Sequence, residues 1–165
     1  MRNSARALVT GGLGFVGSHI VDALVEHAIE ITVLDDFSNG NASNIVDARR
    51  KTDVKVVRGS VTDPSAVKSA VEGVDLVFHE AAIVSIQQSF LQPELTTRVN
   101  VDGTRLLLNA CKSAGVKKFV LASSAAVYGD SKVLPRTESS TPQPLSPYGR
   151  SKLEGERLLR SASNR

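Results

Sequence analysis

The sequence predicts an α/β protein built on a doubly wound parallel sheet, with five strands in the order 3-2-1-4-5 and helices on both faces. Three observations predict it. Short apolar runs alternate with longer amphipathic segments along the 165 residues, as strands joined by crossover helices do. A glycine turn, Thr10-Gly-Gly-Leu-Gly-Phe-Val-Gly17, follows the first apolar run and opens a helical segment. The second apolar run ends on a carboxylate, Asp35. Right-handed crossovers then give the stated order.

The elements follow in turn. Residues 6–10 read as the first strand. A helix is expected from Phe15 to about His27, with Val16, Ile20, Leu24 and nearby apolar residues on one face. Residues 30–35 form the second strand. The polar stretch 36–51, rich in Asn, Ser and Gly at its start, is a loop with a short helix. The third strand is 54–58. Asp63-Pro64 starts the next helix with a cap residue and a proline at the first position. The run 74–79 is a fourth strand, apolar as one covered on both faces must be. A long helix spans about 94–114 and stops at Gly115. The fifth strand is 118–122. Residues 133–147 are a loop carrying Pro135, Pro142, Pro144 and Pro147, and a last helix begins at Ser146 or Pro147 and runs toward Arg160.

Composition excludes several function classes. The 20 Lys and Arg and 17 Asp and Glu leave a net charge of +3, and they are dispersed. Without a basic stripe interleaved with aromatics, nucleic acid is not an expected partner. Arg49-Arg50-Lys51 reads as solvated surface. The single cysteine, Cys111, lies in a helical pattern among Leu107, Leu108 and Ala110 and reads as a small buried apolar residue. No His, Cys, Asp or Glu cluster has metal-ligand spacing. No apolar run approaches the ~20 residues of a membrane span, and no signal peptide precedes the first strand. A cytoplasmic location follows as an expectation.

The glycine turn has the context that a dinucleotide site requires. Gly11 permits the tight turn, Gly14 lets the backbone approach a pyrophosphate, and Gly17 allows close helix packing. The helix N-terminus offers N–H groups and partial positive charge to the diphosphate. Asp35 is placed to accept hydrogen bonds from the adenosine ribose, and its charge repels a 2′-phosphate. No arginine follows it at 36–39. These features favour NAD over NADP.

Tyr148 and Lys152 stand four residues apart in Ser146-Pro-Tyr-Gly-Arg-Ser-Lys152, so one face of a helix carries both. An ammonium beside a phenol favours the phenolate. The pair therefore suits proton exchange with a sugar or alcohol hydroxyl.

With Thr10–Gly17, His79-Glu-Ala-Ala82, Asn100-Val-Asp-Gly-Thr104, Ser123-Ser-Ala-Ala-Val-Tyr-Gly129 and Tyr148–Lys152 together, the chain resembles the extended short-chain dehydrogenase/reductase family. It is most similar to the UDP-glucose (or UDP-N-acetylglucosamine) 4-epimerase branch, from Leu8 to about Leu159. The resemblance implies a Rossmann domain over 1–165, with the family's C-terminal substrate lobe absent from this chain. It implies that Gly11, Gly14, Phe15 and Val16 meet the pyrophosphate, that Asp35 and Asn39 hold the adenosine end, and that Ser60 and Val61 flank the adenine. Ala81, Ala82 and Ile83 line the cofactor, and Asn100 orders the active site. Ser124 bonds the sugar hydroxyl, Tyr148 exchanges its proton, and Lys152 holds the nicotinamide ribose. Ser60 stands where the family has Asp, and Glu80 where it has an apolar residue.

The implied reaction inverts C4 of a nucleotide sugar, a UDP-sugar, through a 4-keto intermediate. A 4,6-dehydratase resembling this chain would carry Asp-Glu after Ser124; here Ala125 and Ala126 stand there, and a methyl group moves no proton. Two alternatives are an NAD-binding module without turnover and an NAD-dependent reductase or dehydrogenase of the same family. Ser123 reads as capping or lining the turn, Tyr128 as packing beneath the site, and His19 and His27 as structural or solvated. His79 takes a supporting role. The helices near 94–114 and 147–160 resemble those that pair subunits in a four-helix bundle, implying a homodimer. Their apolar stripes, such as Leu106, Leu107 and Ala110, equally suit the chain's own core.

Overall fold

The computed structural model describes residues 5–131 and 134–163. The chain divides into two compact units, Met1–Ala81 with Leu106–Ala122, and Ala82–Arg105 with Ser123–Arg165.

The first unit holds the sheet. Its strands are β1 (Arg6–Thr10), β2 (Glu30–Asp35), β3 (Val54–Arg58), β4 (Leu76–His79) and β5 (Lys118–Leu121). All pair in parallel, in the order β3-β2-β1-β4-β5 that the sequence predicts. In register, Val9 of β1 lies opposite Val33 of β2 and Phe78 of β4. Ala7, Leu8, Val9 and Thr10 are fully buried, as a central strand covered on both faces must be. β4 starts two residues later than expected, because the Val74 N–H closes a turn on the Val71 carbonyl at 3.2 Å.

Helices α1 (Phe15–Glu26), α2 (Val46–Lys51) and α3 (Pro64–Val71) belong to this unit. Leu13, Val21, Leu24, Ile45 and Ala48 pack with Val9, Ile31, Val33 and Val54 of the sheet. The packed face of α1 is the expected one at Leu24, which is buried, and at Ile20, which packs against the core, but not at Val16. Gly17, Val21 and Leu24 are buried, whereas Val16 in the first turn is 55% exposed. Arg49, Arg50 and Lys51 form the exposed last turn of α2, where cations complement the helix dipole.

Asp63 caps α3 as its position before Pro64 predicts, with its side chain accepting from the Ser65 N–H at 2.8 Å. Asp63→Ala is expected to cost about 1 kcal/mol, the usual worth of such a cap. Urea unfolding monitored by circular dichroism measures it.

The long helix expected over 94–114 is three pieces: α5 (Pro93–Thr97), a π turn over Arg98–Asp102, and α6 (Gly103–Ala114). The Gly103 N–H reaches the Arg98 carbonyl, five residues back. The Asn100 carbonyl takes the Thr104 hydroxyl at 2.6 Å. Such bulges keep the helix running while changing which side chains share a face. Leu107, Leu108 and Cys111 of α6 are buried, so this part of the stripe serves the chain's own core.

The second unit also contains α4 (Ile86–Leu91), a 3₁₀ turn over Ala125–Tyr128, and α7 (Pro147–Ser163). The sequence reading missed α4, which is short but capped by Ser85 onto the Gln88 N–H at 3.1 Å. α7 begins where predicted, its Gly149 N–H held by the Ser146 hydroxyl at 3.0 Å. Of the loop expected over 133–147, residue 133 lies outside the described residues, and 134–146 carries no helix or strand. No described helix is long and apolar enough to cross a membrane.

Candidate functional site

In the first unit, β1 delivers the chain into the glycine turn. The Gly11 N–H bonds the Leu34 carbonyl at 2.8 Å. Gly11 has φ +66°, and a Cβ there would lie 2.8 Å from the Ala81 nitrogen. Only glycine meets both demands. A Cβ on Gly17 would lie 2.2 Å from the Gly11 carbonyl oxygen and 2.8 Å from the Gly12 Cα. The start of α1 is thus folded directly onto the turn.

Gly14 differs. It is the N-cap of α1, and a Cβ there would meet only the Gly11 oxygen, at 3.2 Å. Its missing side chain leaves space beside the helix start. No side chain caps α1 and no acidic residue lies in its first turn. The amides of Phe15 and Val16 therefore carry the partial positive charge of the helix end, ready for an anion. Their side chains are exposed.

Asp35 is only 7% exposed. Its Oδ2 accepts from the Leu13 N–H at 3.0 Å and its Oδ1 from the Phe37 N–H at 2.9 Å. The Leu13 carbonyl accepts from the Asn41 N–H at 3.0 Å and the Asn44 amide at 2.8 Å. Gly40 fits beneath: a Cβ there would stand 2.8 Å from Asp35 Oδ1. The carboxylate assigned to a ribose from sequence therefore also fastens the glycine turn to the loop after β2. Each oxygen keeps a further lone pair. Sequence reasoning missed Leu13, Gly40 and Asn44; the signal for Gly40 was its place in Ser38-Asn-Gly40.

Asn39 is exposed in the same loop. Ser60 is half-buried after β3, its hydroxyl 2.9 Å from that of Thr62 and accepting from the Thr62 N–H at 3.2 Å; Val61 is buried. The Thr10 hydroxyl lies 2.7 Å from His79 Nδ1 and accepts from the Ala81 N–H at 3.2 Å. His79 is thereby tied to the segment that carries Ala81. Glu80 is half-buried, its N–H on the Thr10 carbonyl at 3.1 Å.

The second unit gathers the other group. Tyr148 and Lys152 of α7 are both buried, with the Lys152 Nζ 5.9 Å from the tyrosine ring centre. Between them, the Ser151 hydroxyl donates to the Tyr148 carbonyl at 2.7 Å and accepts from the Asn100 amide at 3.0 Å. Asn100, in the π turn, also clamps the Ile83 backbone. Its Oδ1 accepts from the Ile83 N–H at 2.8 Å, and its Nδ2 donates to the Ile83 carbonyl at 3.0 Å. Ala82 and Ile83 are half-buried. Ser124 caps the 3₁₀ turn, its oxygen accepting from the Ala126 N–H at 3.2 Å. A hydroxyl in that role still has its proton to donate. Ser123 donates to Glu156 of α7, a pair that sequence reasoning did not find. Tyr128 is half-buried.

Burial pushes the Cys111 thiol up to about 12, so it stays protonated at neutral pH. His19 packs edge-on against Phe15, with ring centres 5.2 Å apart, and His27 is exposed at the end of α1. Among the described residues, no group of three His, Cys, Asp or Glu side chains could hold a metal ion.

The UDP-glucose 4-epimerase of Azospirillum brasilense is 37% identical over 161 residues, covering 96% of this chain and 45% of the relative. A UDP-N-acetylglucosamine 4-epimerase from Methanobrevibacter ruminantium M1, solved with UDP-N-acetylmuramic acid, superposes with a TM-score of 0.92 at 34% identity, covering 99% of this chain and 52% of that one. The dTDP-glucose 4,6-dehydratase DesIV from Streptomyces venezuelae, solved with NAD bound, gives 0.90 at 34% identity, covering 96% and 52%. The chain spans about half the length of the curated relatives it matches. The family model described as NAD dependent epimerase/dehydratase matches residues 7–165, and the chain belongs to that family.

Proposed function

We propose that the chain is the NAD-binding and proton-transferring part of a nucleotide-sugar 4-epimerase acting on a UDP-sugar. The observation that carries this reading is the buried Tyr148–Lys152 pair on α7, locked by Ser151 and Asn100, beside a Ser124 turn whose next residues are Ala125 and Ala126. The pair supplies reversible proton exchange; the alanines supply no acid for a following elimination.

NAD fits the first unit by the open side of Gly14, the uncapped start of α1 and the buried Asp35 carboxylate. The amides of Phe15 and Val16, with Gly11, Gly14 and Gly17, would hold its diphosphate. Asp35 and Asn39 would hold the adenosine ribose, Ser60 and Val61 the adenine. Ala81, Ala82, Ile83, Asn100, Tyr148 and Lys152 are assigned to its nicotinamide end. NAD supplies a reversible electron-pair acceptor for the C4–H bond of the sugar. Tyr148 takes the C4 hydroxyl proton as the ketone forms and gives it back as the inverted alcohol is restored. Ser124 donates to the same oxygen, and the Lys152 ammonium stands beside the ring, 5.9 Å from its centre. A homodimer through the α5–α6 and α7 helices belongs to this reading. A groove of about 470 Å³ in the second unit lies along these helices, lined by Pro93, Val101, Pro147 and Leu153 and by the charged Arg150, Glu154 and Arg157.

Full-length protein incubated with NAD and UDP-glucose or UDP-N-acetylglucosamine is expected to yield the C4 epimer with no net reduced nicotinamide. Binding of NAD without interconversion would overturn the reading in favour of a binding module. Net reduction would point to a dehydrogenase, and a 4-keto-6-deoxy product to a dehydratase.

A further inference from the structure

The Ser123–Glu156 hydrogen bond joins segments 33 residues apart, yet stability does not require it. Ser123 is exposed and Glu156 half-buried, and both would be solvated at little cost if the bond were broken. What distinguishes the pair is its location. Ser123 directly precedes Ser124. Glu156 lies one helical turn beyond Lys152 and two beyond Tyr148, on the same face of α7.

Two of the contacts between the Ser124 turn and α7 lie far apart along the helix. The first is at the helix start, where a Cβ on Gly149 would lie 2.7 Å from the Ala126 carbonyl oxygen. The second is Glu156, about two turns farther along. The Glu156 contact is the one that holds the backbone immediately before residue 124. Ser124 is extended, with φ −157° and ψ 146°, and its oxygen is held by the Ala126 N–H. Its hydroxyl is therefore aimed by the backbone at 123–124, the stretch that Glu156 holds.

We propose that Glu156 is a positioning residue: by accepting from the Ser123 hydroxyl it sets the Ser124 hydroxyl against the proton-transfer face of α7. The proposal deepens the epimerase reading and rests on it for its kinetic consequence. Its geometric consequence stands apart from any substrate.

The test uses full-length protein carrying Glu156→Ala, Glu156→Gln, Ser123→Ala and the Ser123/Glu156 double alanine variant. Glutamine keeps the accepting oxygen and removes the charge. Glu156→Ala and Ser123→Ala are each expected to lower kcat about tenfold, within what a small misplacement costs, with KM for the sugar nucleotide and NAD affinity little changed. The double variant is expected to be no worse than either single one, because the two groups act as one unit. Glu156→Gln is expected to restore kcat and leave its pH profile in place. In parallel, the Ser124 amide resonance in NMR spectra is expected to shift in both single alanine variants and return in Glu156→Gln.

An unmoved Ser124 resonance overturns the proposal, as do additive kinetic losses or a glutamine variant as slow as alanine. A lowered Tm in step with lost kcat assigns the pair to stability alone and overturns it too. If the wild-type protein interconverts no UDP-sugar, the epimerase reading fails while the Ser124 resonance still decides the role of Glu156.

Discussion

Gly17→Ala is expected to abolish measurable NAD binding and to cost at least about 1–3 kcal/mol of stability, the usual range for overpacking a tight site. The added carbon would lie 2.2 Å from the Gly11 carbonyl oxygen and 2.8 Å from the Gly12 Cα, all backbone atoms that cannot rotate aside. Either α1 moves away from β1 or the turn opens. In both cases the Phe15 and Val16 amides leave the place where a diphosphate would sit. Gly115→Ala is the comparison. Gly115 has φ +73° and nothing within 4 Å of a built Cβ, so alanine there meets left-handed strain of about 1–2 kcal/mol and no clash. NAD affinity in that variant should match the wild type. Isothermal calorimetry and urea unfolding measure both quantities, and wild-type affinity in Gly17→Ala would refute the described turn.

Tyr148→Phe is expected to lower kcat by about 10²–10⁴, the usual contribution of a positioned proton donor and acceptor, while leaving folding and NAD binding near wild type. The substitution removes one oxygen and keeps the ring in its buried place on α7. Asn100, Ser151 and the Tyr148 backbone carbonyl hold their bonds without it. Tyr128→Phe, at the half-buried residue of the 3₁₀ turn, should retain most activity. NMR detection of the C4 epimer from a UDP-sugar gives the rates. A Tyr148→Phe rate within twofold of wild type would remove the phenol from the reaction.

Much of this architecture was legible in the residues because its signals are local. β1 ends before Gly11 and β3 lies between Asp53 and Gly59, and their limits emerge as read. Asp63-Pro64 announces α3 by cap chemistry alone. Tyr148 and Lys152 share a face because a helix repeats every ~3.6 residues. The losses have equally plain causes. Apolar character put Val16 on one face with Ile20 and Leu24, but it sits in a first turn that faces solvent. Six residues of α4 are too few to display a period. The π turn, Arg-Val-Asn-Val-Asp, contains neither proline nor glycine to mark it, so the pattern of 94–114 reads as unbroken. The partners of Asp35 are main-chain N–H groups, which every residue but proline carries and no residue type reveals. Ser123 with Glu156, and Asn100 with Ile83 and Ser151, meet only after distant segments have folded together.

The double engagement of Asp35 limits how this protein could be re-engineered toward a phosphorylated dinucleotide. The obvious exchange removes that acid and brings in an arginine for the extra phosphate. Here the same exchange would release the amides of Leu13 and Phe37, loosening the cradle it was meant to retune. A workable redesign has to keep a short acceptor at that position and add the cation elsewhere along the 36–44 segment.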